Sequence, residues 1–246
     1  MELISIIIPY FKKKRFIKEA VNSILNQSYT NNEILIIYDD NNHEDLDYLY
    51  EIFGSNKKIK IIVNEKNIGA GLSRNKAISM AKGKFIGFLD ADDYWHKEKV
   101  FKQIKFMKDK NFKISHTSYN IIDESNNHVS VRKAKNFYNY KDILKSCDIG
   151  LSTVILETSI INEQIKFASL KTKEDFVLWL KILYSGTAIG AIDENLTSWR
   201  KLENSLSSSF FQKMIDGYKV YNKYMKYNPI KSIYLLLCLS INFLRK

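Results

Sequence analysis

The sequence predicts an α/β protein: a mostly parallel sheet flanked by helices, with a helical appendage at its C-terminal end. Three observations predict it. Short, mostly apolar runs at residues 3–8, 34–38, 59–63 and 85–89 have the length and composition of strands, and the first has the signature of a buried parallel strand. Segments with helical spacing of apolar residues alternate with strands, as the crossovers of a parallel sheet require. The chain has 246 residues, of which 45% are hydrophobic and 26% charged, so it can bury a full core without disulfides or metal clips.

Taken in order, Leu3-Ile4-Ser5-Ile6-Ile7-Ile8 is the first strand, stopped by Pro9. Phe16, Ile17, Ala20, Val21, Ile24 and Leu25 then form one apolar helix face. The second, third and fourth strands are the runs at 34–38, 59–63 and 85–89. Between the last two, residues 70–81 read as a helix that Gly69 introduces and Gly83 ends. Beyond residue 100 come a helix with Val100, Ile104 and Met107 on one face, a strand near 113–122, and a polar loop at 124–127. A helix at 174–184 and a strand at 187–192 complete the expected core. The last segment carries Tyr218, Tyr221, Tyr224 and Tyr227 among lysines, then Pro229 and an apolar run from 233 to 244 followed by Arg245-Lys246. Such a run is too short to span a bilayer. It suits either the surface of an anionic membrane or a helix packed on the core or on a second subunit. The division expected is a domain at 1–205, with a nucleotide-binding half to about residue 100 and an acceptor half beyond it, and a basic, aromatic tail at 206–246.

Charge is unevenly distributed. Residues 1–100 carry 15 Lys and Arg against 14 Asp and Glu, while the remainder carries 23 against 13. The basic excess therefore belongs to the C-terminal part, where it could meet nucleic acid, anionic lipid or phosphorylated substrates. Cys147 and Cys238 lie far apart and match neither a metal-ligand nor a redox spacing. Met1-Glu2-Leu3-Ile4 lacks the basic region of a secretory signal, so residence in the cytoplasm is expected.

Ligands of open parallel sheets bind beyond the carboxyl ends of the strands. Those ends are followed here by Pro9-Tyr10, Asp39-Asp40-Asn41-Asn42, Asn64-Glu65-Lys66-Asn67 and Asp90-Ala91-Asp92-Asp93. Three carboxylates in four residues repel one another unless a cation or buried donor compensates, and Mg²⁺ or Mn²⁺ is a natural partner. The plain alternative is a solvated acidic turn capping a helix that starts near His96. Asp39-Asp40 has a similar alternative, since Asp and Asn are ordinary turn formers. Gly69-Ala70-Gly71 opens a helix but lacks the third glycine of a dinucleotide fingerprint and the Gly-Lys-Ser/Thr of a phosphate loop. Neither a nicotinamide enzyme nor a P-loop ATPase is indicated. What remains is a helix N-terminus whose amides and Arg74 could face an anion.

In this order, Ser5-Ile6-Ile7-Ile8-Pro9-Tyr10, Val21-Asn22-Ser23-Ile24-Leu25-Asn26-Gln27, Glu33-Ile34 leading to Asp39-Asp40, Asn67-Ile68-Gly69 with Arg74-Asn75, and Leu89-Asp90-Ala91-Asp92-Asp93 resemble the motifs of family 2 glycosyltransferases. Those are inverting enzymes with the GT-A (Rossmann-like) fold. The resemblance covers roughly residues 3–200. One departure is Tyr38-Asp39-Asp40-Asn41-Asn42, where members usually read Val-Asp-Asp-Gly-Ser. The resemblance implies that Pro9, Tyr10, Asp39, Asp40, Asn67, Gly69, Arg74, Asp90, Ala91 and Arg200 bind the nucleotide sugar. Within that set Asp39 or Asp40 would accept from the uracil imide, and Asp90 would face the ribose or metal. Asp92 would ligate a Mn²⁺ or Mg²⁺ cofactor bridging the donor diphosphate. Lys173-Glu174-Asp175-Phe176-Val177-Leu178-Trp179 resembles the family's Glu-Asp segment, with Asp175 as the base that deprotonates the acceptor hydroxyl. Trp199-Arg200 and the loop to Ser207 resemble a later Tyr-Arg segment whose usual His is absent here.

The activity implied is transfer of a hexose (glucose, galactose or N-acetylhexosamine) from a UDP-sugar to a glycan or glycolipid acceptor. Lipooligosaccharide, capsule or lipid-linked oligosaccharide synthesis, peripherally at the inner face of a bacterial membrane, would be the setting. The rival is a nucleotide- or nucleic-acid-binding module without turnover. It predicts basic residues interleaved with aromatics on the strands, whereas these strand ends are acidic, so no nucleic-acid partner is expected.

Overall fold

The computed structural model describes residues 1–202 and 210–244. Its first half is β1 (Ile4–Tyr10), α1 (Lys14–Leu25), β2 (Asn32–Tyr38), α2 (His43–Phe53), β3 (Ile59–Val63), α3 (Ala70–Met80) and β4 (Phe85–Phe88). The four strands pair in parallel in the order β3-β2-β1-β4. The second half comprises β5 (Tyr94–Trp95), α4 (Lys99–Asp109), β6 (Ile114–Ile122), β7 (His128–Arg132), β8 (Ile155–Glu157), α5 (Glu174–Tyr184) and β9 (Gly190–Arg200). The same sheet continues β4-β8-β6-β9-β5, with β7 as a hairpin partner of β6. The longest pairings, β1 with β2 and β6 with β9, are parallel, while β8, β5 and β7 pair antiparallel over two to four positions.

Both faces of the sheet are covered. Ile4, Ile6, Ile8 and Tyr10 pack under α1, α2 and α4, with Ile17, Val21, Leu49, Phe53 and Ile104. On the opposite face Ile7, Leu35, Ile37 and Phe88 meet α5, with Phe176, Trp179 and Leu180 fully buried. This is why β1 and β2 read as unbroken apolar runs and not as alternating ones.

Three local expectations change. Pro9 does not stop β1, which continues to Tyr10 in register with β2. The carbonyl of Ile7 accepts from Leu89 on the β4 side, and Pro9, two residues on, faces the same side where β4 has ended, so no ladder donor is lost. Gly83 does not end α3, whose cap is Ala81 in an extended conformation. A Cβ at Gly83 would lie 2.6 Å from the Ser5 backbone nitrogen, so its glycine permits close passage of the chain beside β1. The last strand runs to Arg200, well past 192, because register shifts against Thr117, Ser118 and Tyr119 carry β9 over its polar middle.

The tail packs on the body by one face. α6 (Phe210–Lys219) passes through a π-helical turn at Val220–Tyr224, and α7 (Pro229–Leu244) follows with proline at its first position. Val220, Tyr221, Leu235, Leu236 and Leu239 are buried in the α5 core, and the Tyr221 hydroxyl donates to the Leu144 carbonyl at 2.7 Å. A Cβ at Gly217 would sit 2.6 Å from Leu236, which lets α6 and α7 touch. Among the described residues no helix is long and apolar enough to cross a membrane. The expected boundary at 205/206, the loop from 203 to 207 and Arg245-Lys246 lie outside the described residues. Deleting 229–246 exposes the pockets of three buried leucines, each worth about 1.5–3 kcal/mol. The truncated chain is therefore expected to show a much lower urea midpoint, or aggregation, in equilibrium unfolding followed by circular dichroism.

Candidate active site

The carboxyl edge of β1, β2 and β4 gathers the predicted residues, and each is held by an identifiable local device. Asp39 is buried just past β2. Its carboxylate accepts from the backbone nitrogens of Ile68 and Gly69 and from Asn64 Nδ2, each at 2.8 Å, while its carbonyl accepts from Asn67 Nδ2 at 2.6 Å. Three of about four acceptor positions on the carboxylate are thus used to fix the turn that starts α3. Gly69 has φ 84°, a left-handed value that a side chain would strain. Asp40 accepts from the Lys12 and Asn41 backbone nitrogens, at 3.1 and 2.8 Å. The half-exposed Pro9 and exposed Asn67 flank this turn. Tyr10 does not open onto it: its ring is fully buried, stacks on Tyr38 at 5.3 Å and donates its hydroxyl to Asp45 at 2.7 Å.

The turn after β4 is anchored from below. Asp93 is buried, accepting from Ser152 Oγ at 2.5 Å and from the Arg200 backbone nitrogen at 2.9 Å. Ser152 Oγ also accepts from the Asp90 backbone nitrogen at 3.0 Å. Burial, with Asp92 and Asp90 nearby, pushes the Asp93 carboxyl well above the ordinary range. The turn caps no helix, since β5 intervenes before α4 begins at Lys99. Ala91 is buried, and Asp90 and Asp92 retain access to solvent. Burial and the Asp90 charge raise the Asp92 carboxyl, against an ion pair with Lys13 Nζ at 2.7 Å. Arg200 supports this turn and does not face outward. Its guanidinium is 1% exposed, donates to the Asp92 carbonyl, Asn126 and Glu19, and lies 4.7 Å from the Phe16 ring centroid.

Arg74 spans the two halves of the site. Its buried guanidinium donates to Asp90 Oδ1 at 2.6 Å and to Glu174 Oε1 at 2.8 Å. The anions that it faces are therefore carboxylates of the protein. Gly71 makes this reach possible, because a Cβ there would meet the Ala168 carbonyl at 2.7 Å and the Glu174 side chain at 3.1 Å. Asp175, half-buried in the first turn of α5, accepts from the Phe176 backbone nitrogen at 2.7 Å. Lys173 precedes that turn with φ 63°, a strained value for a side-chain-bearing residue. Burial raises the Asp175 carboxyl, opposed by the Phe176 N–H and Arg74. Glu174 is pushed up to about 7 by burial and the Asp175 charge, with Arg74 opposing.

Lys13, Asp93, Ser152 and Glu174 also belong to this constellation; from the sequence, Asp93 and Glu174 stand out only as parts of the two acidic segments, and none of the four is given a role in the site. Lys13 lies in the basic run Lys12-Lys13-Lys14-Arg15, and Asp93 and Glu174 adjoin Asp92 and Asp175, whereas no local pattern marks Ser152. Among the described residues no three potential ligand side chains converge to hold a metal.

Comparison with known proteins follows the same lines. The family model described as glycosyl transferase family 2 matches residues 5–165. The chain is 29% identical over 245 residues to "Putative teichuronic acid biosynthesis glycosyltransferase TuaG" of Bacillus subtilis, covering 99% of this chain and 97% of that protein. It is 34% identical over 237 residues to an Escherichia coli protein described as UDP-Glc:alpha-D-GlcNAc-diphosphoundecaprenol beta-1,3-glucosyltransferase WfgD, covering 96% and 91% of the two chains. Residues 1–349 of S. aureus TarS, solved in complex with UDP-GlcNAc, share the fold with a TM-score of 0.74 at 21% identity. That match covers 97% of this chain and 71% of the TarS chain.

Proposed function

This chain belongs to glycosyl transferase family 2 and has the fold of GT-A glycosyltransferases, and from that premise we propose that it moves a hexose from a UDP-sugar to a hydroxyl of a lipid-linked glycan, with inversion. The observation that carries the proposal is the Arg74 bridge. It ties Asp90, on the proposed donor side, to the helix turn that presents Asp175. A single displacement needs those two groups in fixed relation, on opposite faces of the donor sugar.

The proposed roles follow from position. Asp39 and Asp40, with Pro9, Asn67 and Gly69, form the uridine side. Asp39 has one acceptor position left for the uracil imide, and Asp40 lies beside it. Asp90 and Asp92 face the ribose and diphosphate. Asp175 takes the proton as the acceptor oxygen bonds to the anomeric carbon and the bond to the diphosphate breaks. A divalent cation fits the residues present as a half-site, since Mg²⁺ and Mn²⁺ are commonly held by one or two carboxylates plus substrate phosphates. Asp92, with Asp90 beside it, would hold it. When bound, such an ion neutralises charge on the departing diphosphate. Lys13 balances Asp92 otherwise.

Glucose and N-acetylglucosamine donors are suggested by the descriptions of WfgD and of the TarS complex, and a diphosphoundecaprenol-linked acceptor by that of WfgD. An acceptor of that kind sets the reaction at the cytoplasmic face of a membrane, which the enzyme would meet peripherally. Saturation-transfer NMR over UDP-glucose, UDP-galactose and UDP-GlcNAc with Mg²⁺ tests the donor, and transfer confined to one of them is the expected result. Turnover without uridine-nucleotide binding, or no binding of any UDP-sugar, contradicts the proposal. Asp92→Asn is expected to lower turnover by about 10²-fold or more, as several kcal/mol of charge stabilisation is lost, and EDTA should do the same to the wild type. Full activity in EDTA would sink metal dependence alone.

A further inference from the structure

α7 has two apolar faces, and only one is used. Ser232, Leu235, Leu236 and Leu239 are buried against the body. Ile230, Ile233, Tyr234, Leu237 and Ile241 recur at three- and four-residue spacing on the outer side, and each is at least 48% exposed. A surface helix ordinarily presents polar residues there, so five apolar side chains in one stripe depart from the usual pattern.

The surroundings of the stripe identify its occupant. Residues 210–244 contain five lysines and a single acidic residue, Asp216, which is buried. Lys145 approaches the stripe itself, with its Nζ 3.4 Å from the Tyr234 hydroxyl and 5.4 Å from the ring centroid. Lys231 lies within α7, next to Ile230, and is placed over the Tyr227 ring at 4.0 Å. A second copy of the chain docked on the same face would bring a second set of these lysines into one interface. The area is also small. A 16-residue helix is about 24 Å long and about 10 Å wide, giving roughly 240 Å², well short of the ~800 Å² that each partner buries in a stable protein interface. An anionic bilayer satisfies both constraints, because its headgroups pair with lysines and its acyl boundary takes the apolar face of one helix.

We infer that the outer face of α7 is a membrane-docking surface, with Ile230, Ile233, Tyr234, Leu237 and Ile241 inserted at the acyl boundary and Lys145 and Lys231 on anionic headgroups. The tail also connects this surface to the chemistry. Asp216 of α6 accepts from the backbone nitrogen and hydroxyl of Thr172, at 3.0 and 3.2 Å, three residues before Asp175. Docking therefore holds the base helix at a fixed distance from the leaflet. That consequence rests on the lipid-linked acceptor proposed above, whereas the docking itself does not.

The test is sedimentation of the full chain with phosphatidylcholine vesicles containing phosphatidylglycerol, and with phosphatidylcholine alone. Binding should be much tighter with the anionic lipid than without it and weaken only in part with salt, since screening leaves apolar insertion in place. Ile233→Glu with Leu237→Glu should lower the partition coefficient by about tenfold or more for each residue, with an unchanged circular dichroism melt and unchanged UDP binding. Leu237→Trp keeps the face apolar and supplies a second readout, a blue-shifted emission on anionic vesicles. Lys145→Gln with Lys231→Gln should weaken binding to anionic vesicles alone. Wild-type protein that ignores anionic vesicles, a double glutamate variant that binds them undiminished, or a Leu237→Trp variant whose emission does not shift would each overturn the inference. So would a concentration-dependent dimer abolished by the same glutamates, which would make the stripe a self-interface. None of these measurements involves sugar transfer, so their failure leaves the proposed reaction standing.

Discussion

Asp175→Asn is expected to lower turnover by about 10²–10⁴-fold while UDP affinity stays unchanged. Asparagine keeps the shape of the side chain and an oxygen for the Phe176 N–H, so the first turn of α5 should persist. What disappears is the ionisable oxygen that takes the acceptor proton. Burial already raises the Asp175 carboxyl, which brings it nearer the operating pH of a general base than an ordinary aspartate. The wild-type rate should therefore rise with pH as Asp175 ionises and fall away below that point. In the variant this acid limb should vanish. Folding stability should move the other way. Glu174 titrates near 7 in the folded chain against 4.5 ordinarily, so between those values the folded state holds more protons and stability declines as pH rises. Removing the neighbouring Asp175 charge relieves part of that decline, so the variant should unfold at an equal or higher urea concentration at neutral pH. Near-normal turnover, or lost UDP affinity with intact turnover, would place the base elsewhere.

The parts of the fold legible in the sequence are those with a strong periodic signal. β1, β2 and β4 are buried on both faces and read as nearly continuous apolar runs, β3 at the sheet edge is only partly buried yet keeps three isoleucines and a valine, and α5 was legible to the residue at both ends. α2 escaped notice because only Leu49 and Phe53 supply its buried apolar positions. Its start was written in Asn42, whose side chain accepts from Glu44, and in the acidic first turn. β5 and β8 are two and three residues long and pair with strands distant in sequence, and the five residues of β7 are exposed or half-buried on the hairpin with β6, so no apolar pattern announces them. The site divides in the same way. Carboxylates at strand ends followed from topology alone. Their partners did not: Arg74 meets a glutamate 100 positions away, and Arg200 a glutamate 181 positions away. Arg74 was expected to face an anion at a helix N-terminus, and nothing local in the sequence announces that the carboxylates it meets are Glu174 and Asp90.

Replacement of Arg74 by leucine is expected to be the most destabilising single change in the site. Arg74 has a side chain 4% exposed and is the counter-charge for Glu174, itself 13% exposed, and for Asp90, 34% exposed. Removing one partner of a buried ion pair costs about 3–5 kcal/mol, because the remaining charge stays desolvated. Asp90 can recover some water, which places the cost toward about 3 kcal/mol. Glu174 cannot, so in the variant its carboxyl should rise further and stay protonated at acidic pH. The deficit should accordingly be smallest near pH 5 and grow as pH rises through the Glu174 transition, measured as the difference in urea midpoint between variant and wild type. Arg74→Lys keeps a charge but can satisfy only one carboxylate at hydrogen-bond distance, so it should recover part of the stability and little of the turnover. A leucine variant as stable as wild type at pH 8 would mean that the two carboxylates find other compensation. The bridge between the donor turn and α5 would then be an incidental contact and not the element that sets their spacing.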